Sequence, residues 1–176
     1  MIEGADMPHW QKLIDQLEHY AAHDALVRYE RFGGADENEL AATESRLGFA
    51  FDAQYRDFLT HVNGWDAFSR SGQCLYRTDE LGASGRWLES KQAANEWRYY
   101  YDEILAMGMP PLEELLLIGG TSESLSMTLC GSKGSSATGR ILTITSEFTV
   151  WPDFSTYLTS ELEFWEFVRT SDGTTS

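Results

Sequence analysis

The chain has 176 residues, of which 28 are acidic and 13 basic, so its net charge at neutral pH is −15. A charge of this sign repels phosphate backbones, which argues against direct nucleic-acid binding and favours a basic partner, although acidic surfaces also simply keep many proteins apart in solution. Hydrophobic residues make up 42% of the chain, which is enough for one domain, residues 1–176, with a sizeable core.

The N-terminal segment is predicted to be helical. Apolar residues recur at helical spacing from Trp10 to Ala21, which predicts an amphipathic helix over residues 8–22 that covers the core. The pattern shifts phase near His23, so residues 27–32 (VRYERF) either continue this helix or form a short second one. Whether residues 8–32 form one helix or two stays open on the sequence.

Two capped helices are predicted next. Asp36 precedes the first with Glu39 in the third helical position, the arrangement of a capping box, and Gly48 is a C-terminal stop. Asp52 is a candidate N-cap for the second helix. This helix has one apolar stripe, followed by Asn63-Gly64 as its stop: Tyr55, Phe58, Leu59 and Val62.

The middle of the chain is predicted to be a loop followed by a third helix. Residues 67–86 are rich in Gly, Ser and Arg and are interpreted as a loop or edge region, in which residues 74–77 (CLYR) are strand-like. A long helix is predicted from Trp87 to Met107. Its apolar residues in phase are Ala93, Ala94, Trp97, Tyr101, Ile104 and Leu105.

The second half of the chain has the period of strands. Residues 115–119 (LLLIG) predict a short buried strand, and residues 125–129 alternate as in a half-buried one. The Gly-rich residues 131–139 are interpreted as a hairpin connector, and residues 140–151 predict one or two further strands. Ser160 and Glu163 suit the start of a last helix.

This order of elements predicts an α+β fold. Helices come first, then strands with connections too short for crossover helices, then one helix. We therefore expect N-terminal helices packed on one face of an antiparallel sheet of about four to six strands, with a C-terminal helix. Residues 171–176 are expected to be a disordered tail.

No catalytic residue, metal ligand or cofactor is predicted. His19 and His23 have the i, i+4 spacing of two metal ligands, but the glutamate of HExxH is absent, so two solvated histidines are the preferred interpretation. Cys74 and Cys130 form no CxxC motif, which disfavours a zinc ribbon. No segment has the polarity of a secretory signal or the roughly 18 apolar residues of a membrane span, so a cytoplasmic protein without membrane contact is expected.

The candidate binding residues are acids and tyrosines. Residues 97–101 (WRYYY) cannot all face inward on a helix, so some of the tyrosines are expected at the surface beside carboxylates, a composition that suits a basic protein partner. The alternative is that these tyrosines only cover the core. The predicted partner-binding residues are Glu96, Tyr99, Tyr100, Asp102 and Glu103, with two further acidic pairs at Asp79-Glu80 and Glu113-Glu114.

The predicted helix pair resembles the signature of the SUKH superfamily. The residues that carry the resemblance are Glu44, Leu47-Gly48, Phe51, Tyr55, Phe58-Leu59 and Asn63-Gly64. Members usually have Leu-Pro where this chain has Phe51-Asp52, an acid that can cap the helix in place of the proline. Residues 115–120 and 164–168 are similar to the family's Gly-ended strand and closing helix. The resemblance covers about residues 36–170 and leaves residues 1–35 as an N-terminal helical extension.

The resemblance implies an α+β fold and a non-enzymatic role. Members are best known as bacterial immunity proteins, so the resemblance implies a protein that neutralises a cognate polymorphic or contact-dependent toxin. The acidic charge favours a nuclease with a basic cleft as that toxin. The superfamily also contains a fungal cell-wall regulator, which implies a scaffold or regulatory interaction module as the alternative.

Overall fold

The computed structural model describes residues 10–24, 29–69, 71–83, 85–121 and 126–171, with the backbone alone described at Asn95 and Arg98. The α-helices in these ranges are α1 (Trp10–His23), α2 (Glu37–Leu47), α3 (Ala53–His61), α4 (Arg86–Ala93), α5 (Tyr101–Ala106) and α6 (Phe154–Ser171). Short 3-10 helices occur at Ala94–Tyr100 and Leu112–Glu114. The strands are β1 (Glu30–Gly33), β2 (Val62–Asp66), β3 (Cys74–Leu75), β4 (Leu115–Gly120), β5 (Met127–Gly131), β6 (Ile141–Ile144) and β7 (Phe148–Trp151).

The described strands form one antiparallel sheet whose spatial order, β1 to β7, is the order of the chain. The predicted α+β class with a C-terminal helix is therefore confirmed. The sheet has seven strands where about four to six were expected. The strands that escaped prediction are β1, whose four residues are too few for an alternating pattern to be recognised, and β2, which begins at Val62 where the end of a helix was expected.

Helices cover both faces of the central sheet, whereas the sequence predicted helices on one face. Every residue of β4, β5 and β6 is buried, as expected for strands covered on two sides. Thr128 of β5 pairs with Thr143 of β6, which pairs with Thr149 of β7, so these side chains lie on the same face of the sheet. The Thr128 hydroxyl lies 3.3 Å from that of Tyr157, so α6 covers this face. Phe148, the neighbour of Thr149, faces the other way and contacts Trp97 at a ring distance of 5.8 Å.

The predicted caps of α2 and α3 are confirmed. Asp36 and Glu39 form the complete capping box, and Gly48 ends α2 in the left-handed region with φ 68°. The Asp52 side chain accepts from the backbone N–H groups of residues 54 and 55 at the start of α3. Helix α3 ends at His61, however, and Val62 begins β2 instead of extending the helical stripe. Val62 is buried in the strand, as it was expected to be in the helix, so an apolar residue at this position does not distinguish the two structures.

Neither helical interpretation of the segment after α1 is correct. Helix α1 ends at His23, and Glu30–Gly33 is an edge strand paired with β2, with Glu30 opposite Asp66. The predicted N-terminal extension is therefore only partly helical. The paired residues are 29 to 36 positions apart in the chain, which is why local periodicity did not predict this strand. Residues 25–28 lie outside the described part of the chain.

The predicted loop or edge region contains an interior strand. Residues Cys74–Leu75 pair with β2 on one side and β4 on the other. The long helix predicted from Trp87 to Met107 is divided by the 3-10 helix at Ala94–Tyr100. A 3-10 helix has three residues per turn, so the α-helical phase is lost across it. As a result Leu105, predicted to face the core, is 42% exposed.

Helix α6 begins at Phe154, six residues before the predicted start at Ser160. The side chain of Asp153 accepts from the backbone N–H of Thr156 at 2.8 Å, which satisfies a donor in the first turn. On the same side of the sheet, Trp10 of α1 contacts Phe154 at a ring distance of 6.1 Å. Among the described residues, no helix has both the length and the apolar character needed to cross a bilayer.

Candidate functional site

The 3-10 helix at Ala94–Tyr100 is fixed to the sheet by two aromatic rings. Residues three apart lie over one another in a 3-10 helix, so Trp97 and Tyr100 share one side. Their ring centroids are 5.6 Å apart, and Tyr100 contacts Phe148 of β7 at 5.4 Å. Trp97 contacts the same phenylalanine, so both rings hold this short helix against the last strand.

A second row of residues at the same spacing faces solvent. We call it the outer row, and it consists of Glu96, Tyr99, Asp102 and Leu105. All four side chains are exposed, Tyr99 by 91%. The row continues from the 3-10 helix onto α5, and Glu103 is exposed beside it. The structure therefore brings four of the predicted partner-binding residues together and places Tyr100 half against the sheet.

The outer row carries negative charge. The ion pairs between described side chains involve neither Glu96, Asp102 nor Glu103. A tyrosine among such carboxylates offers a rigid amphipathic ring and a hydroxyl within a negative field. This combination suits a basic protein surface, because aromatic contact supplies affinity while opposite charges orient the encounter.

Sequence reasoning missed Leu105 as a surface residue. An α-helical period over residues 87–107 places it with Ile104 on the core side, and only Ile104 is buried. A period of three, counted from Glu96, would have identified Leu105 as a member of the outer row. The missing signal was the 3-10 conformation, which the sequence does not mark.

The acidic pair Asp79-Glu80 does not belong to this surface. Asp79 is exposed and lies 3.2 Å from Arg77. The Glu80 side chain is only 15% exposed, and both of its carboxylate oxygens accept from Arg86, at 2.5 and 2.9 Å. Burial raises the pKa of Glu80, but hydrogen bonds from Arg86 and from the backbone N–H of Arg77 outweigh it and hold the pKa below its ordinary value. Glu80 thus serves as an internal ion-pair partner.

The second acidic pair lies on a short 3-10 helix close to the start of the longer one. Glu113 and Glu114 are exposed on the short 3-10 helix Leu112–Glu114. Glu113 lines a groove of about 340 Å³ together with Lys91 and Ala94, the latter at the start of the longer 3-10 helix. The fold therefore places Glu113 beside the segment that carries the outer row.

A polar cleft of about 360 Å³ lies where β3 meets β4, and its lining includes Arg86, Asp66, Cys74 and Tyr76. Arg86 donates to Asp66 at 2.6 Å in addition to Glu80, and the Tyr76 hydroxyl donates to Ser90 at 2.7 Å. Burial raises the pKa of the Cys74 thiol, which donates to the carbonyl of Gly120 at 3.0 Å. The cleft thus contains a thiol that stays protonated and a guanidinium whose charge is balanced by Asp66 and Glu80. Both groups bond to neighbouring parts of the fold, so we assign them a structural role.

The described histidines join no group of three possible metal ligands. The His19 and His23 rings lie 4.5 Å apart on α1, as their spacing predicts. Within the described residues, no group of three or more His, Cys, Asp or Glu side chains is arranged to hold a metal ion. His61 is the exposed last residue of α3.

The fold defines this chain as an α+β protein built on an antiparallel sheet in chain order, with its exposed tyrosine and acids outside the sheet. A sequence model of the SMI1 / KNR4 family (SUKH-1) matches residues 34–160, more than two thirds of the chain, and the protein belongs to this family. The match includes α2, α3, all the strands from β2 to β7 and the outer row. A search of curated proteins finds no match.

Proposed function

We propose that this protein is an immunity protein that acts in the cytoplasm by binding a cognate polymorphic or contact-dependent toxin. The toxin has a basic active-site cleft, and a nuclease is the class that we propose. The observation that carries the proposal is the outer row, in which a 91% exposed Tyr99 stands between Glu96 and Asp102. Membership of the SMI1 / KNR4 family supports it, because that family includes toxin-immunity proteins.

The mechanism follows from charge and shape. A toxin that cleaves nucleic acid needs cationic groups to hold phosphate, and a protein of net charge −15 is drawn towards such a cleft from a distance. The carboxylates of the outer row then occupy the positions that phosphates would take in the cleft. Tyr99, exposed in the free protein, becomes buried against the toxin and supplies an aromatic contact. The same charge disfavours nucleic acid as a ligand of this chain.

The first test is protection from a candidate toxin domain, chosen from the genes beside the one that encodes this protein. Cells that express the toxin domain should survive when this protein is co-expressed, and purified protein should abolish the toxin's activity in vitro. Equal killing with and without the protein would reject the immunity role and leave the scaffold interpretation, in which native cellular proteins are the partners.

The second test locates the contact. Tyr99→Ala should weaken toxin binding at least 30-fold, the loss expected for an aromatic hot spot, and Glu96→Gln should slow association more than it speeds dissociation. Glu30→Gln is the matched control, since it removes one exposed carboxylate at the opposite edge of the sheet. Unchanged affinity in Tyr99→Ala, or an association rate independent of salt, would contradict binding through the outer row.

A further inference from the structure

A pair of exposed phenylalanines lies on α6, apart from the outer row. Phe164 is 47% and Phe167 66% exposed, although both belong to a helix that is packed on the core. The buried side of this helix is formed by other residues: Phe154, Tyr157, Leu158, Leu162 and Trp165. The two phenylalanines are three positions apart and therefore adjacent on the helix surface. They form an apolar stripe that the core does not use.

Carboxylates border this stripe. Glu163 and Glu166 are exposed and directly precede Phe164 and Phe167 in the chain. Arg169, one turn further, stacks over Tyr20 of α1 with its guanidinium carbon 5.8 Å from the ring centre. The stripe thus has an acidic border along the middle of the helix.

The stripe and the outer row belong to different helical layers. Tyr157 of α6 meets the face of the sheet that carries Thr128, and Trp97 meets the opposite face through Phe148. Occupation of one surface therefore leaves the other accessible.

We propose that the Phe164–Phe167 stripe is a second docking surface, and that its occupant is a basic amphipathic helix of a partner protein. Such a helix places apolar side chains at i and i+3 or i+4 against the two phenylalanines, with lysine or arginine beside Glu163 and Glu166. The negative charge of the stripe's border and of the whole chain favours a basic occupant over the alternatives. A second copy of the chain would bring the same carboxylates and another net charge of −15 into the interface, and an anionic bilayer would be repelled in the same way.

The experiment uses a fluorescently labelled peptide of lysine and leucine, with leucine at positions i, i+3, i+4 and i+7. One control peptide has glutamate in place of lysine, and the other has serine in place of leucine. Binding to the full chain is followed by fluorescence anisotropy, and circular dichroism verifies that each protein variant is folded. The protein variants are Phe164→Ala/Phe167→Ala, Glu163→Lys/Glu166→Lys and Tyr99→Ala.

The lysine–leucine peptide should bind the native protein at least tenfold more tightly than either control peptide. The phenylalanine variant and the charge-reversal variant should each weaken it at least tenfold, while Tyr99→Ala should remain within twofold. Toxin binding should be weakened by Tyr99→Ala and left unchanged by Phe164→Ala/Phe167→Ala. Failure of one proposal can therefore be distinguished from failure of the other.

Three results would overturn the second surface. Equal binding of the serine control would show charge attraction without docking, and loss of binding in Tyr99→Ala alone would place the peptide on the outer row. Absence of binding to the native protein would also reject it. Self-association in sedimentation velocity that disappears in Phe164→Ala/Phe167→Ala would make a second copy the occupant.

Discussion

Glu161 of α6 and Glu80 before α4 are both largely withdrawn from water, with opposite effects on their carboxyl groups. Glu80 accepts hydrogen bonds from Arg86, and its pKa lies below the ordinary value. Burial raises the pKa of Glu161 from 4.5 to about 7. The difference follows from the partners, because a guanidinium stabilises a buried carboxylate that desolvation alone would protonate.

The raised pKa of Glu161 predicts a pH-dependent stability. Between about pH 4.5 and 7 the folded state keeps a proton that the unfolded state has lost, so the free energy of unfolding should fall as the pH rises through this window. Glu161→Gln should remove this decline and exceed the native protein in stability by about 3 kcal/mol at most above pH 7. Urea unfolding from pH 4.5 to 8 measures it. Glu163→Gln, on the exposed side of the same helix, is the control, and equal profiles for both variants would contradict the prediction.

Helix α2 owes its start to the side chains of two residues. The Asp36 carboxylate accepts from the backbone N–H groups of Asn38 and Glu39 at 2.8 and 2.9 Å, and the Glu39 carboxylate accepts from the N–H of Asp36 at 2.8 Å. These bonds satisfy donors that the first turn of a helix leaves free.

Removing this cap should destabilise the protein measurably. Asp36→Ala is expected to lower the free energy of unfolding by about 1 kcal/mol, because two helix donors lose their acceptor. Asp36→Asn keeps an acceptor oxygen and should lie within a few tenths of a kcal/mol of the native protein. Chemical denaturation at pH 7 compares the two variants. Equal losses in both would show that the charge of Asp36, rather than its hydrogen bonds, stabilises the helix.

The elements that the sequence predicted correctly depend on neighbours in the chain. Asp36 and Gly48 carry their signals within one helical turn, and the buried strand β4 is a continuous apolar run. Strand β1 depends on pairing with β2, and the 3-10 helix at Ala94–Tyr100 depends on packing of Trp97 against β7. Asp153 did offer a local signal for the start of α6, but Ser160 matched the same pattern.

The candidate surface was predicted in composition but not in arrangement. Residues 97–101 contain more aromatic rings than one side of a short helix can bury, so the sequence predicts that some of them are exposed. Tyr99 is exposed as this argument requires. The sequence did not predict the ion pair of Glu80, because its partner, Arg86, lies six positions away in the chain and outside any regular period. Leu105 was misplaced because the change from 3.6 to three residues per turn is a tertiary effect.

At the scale of the whole molecule, the charge of −15 should cost stability at low ionic strength, because like charges repel more strongly in the compact state. Raising NaCl from 20 to 300 mM should therefore increase the Tm by about 2–4 °C, which corresponds to about 1 kcal/mol for a chain of this size. Differential scanning calorimetry measures the change.

The control for this salt effect is a variant with fewer charges. Glu96→Gln/Asp102→Asn/Glu103→Gln removes three exposed carboxylates and should show a smaller rise in Tm. A Tm that falls with salt would mean that ion pairs such as Arg86 with Asp66 and Glu80 outweigh the general repulsion.

The chain-order sheet also has a consequence for protein engineering. Residues 76–114 leave β3 and return to its neighbour β4, and the pairs Cys74 with Gly120 and Leu75 with Gly119 close this excursion at its base. Doubling the length of such a loop costs only about 0.6 kcal/mol of closure entropy. The excursion carries the outer row, but it also carries the buried side chains of Trp87 and Ile104, so a replacement segment must supply this part of the core while every strand keeps its partner. If the outer row contacts the partner, a graft of residues 76–114 that keeps these buried side chains should transfer specificity between two relatives.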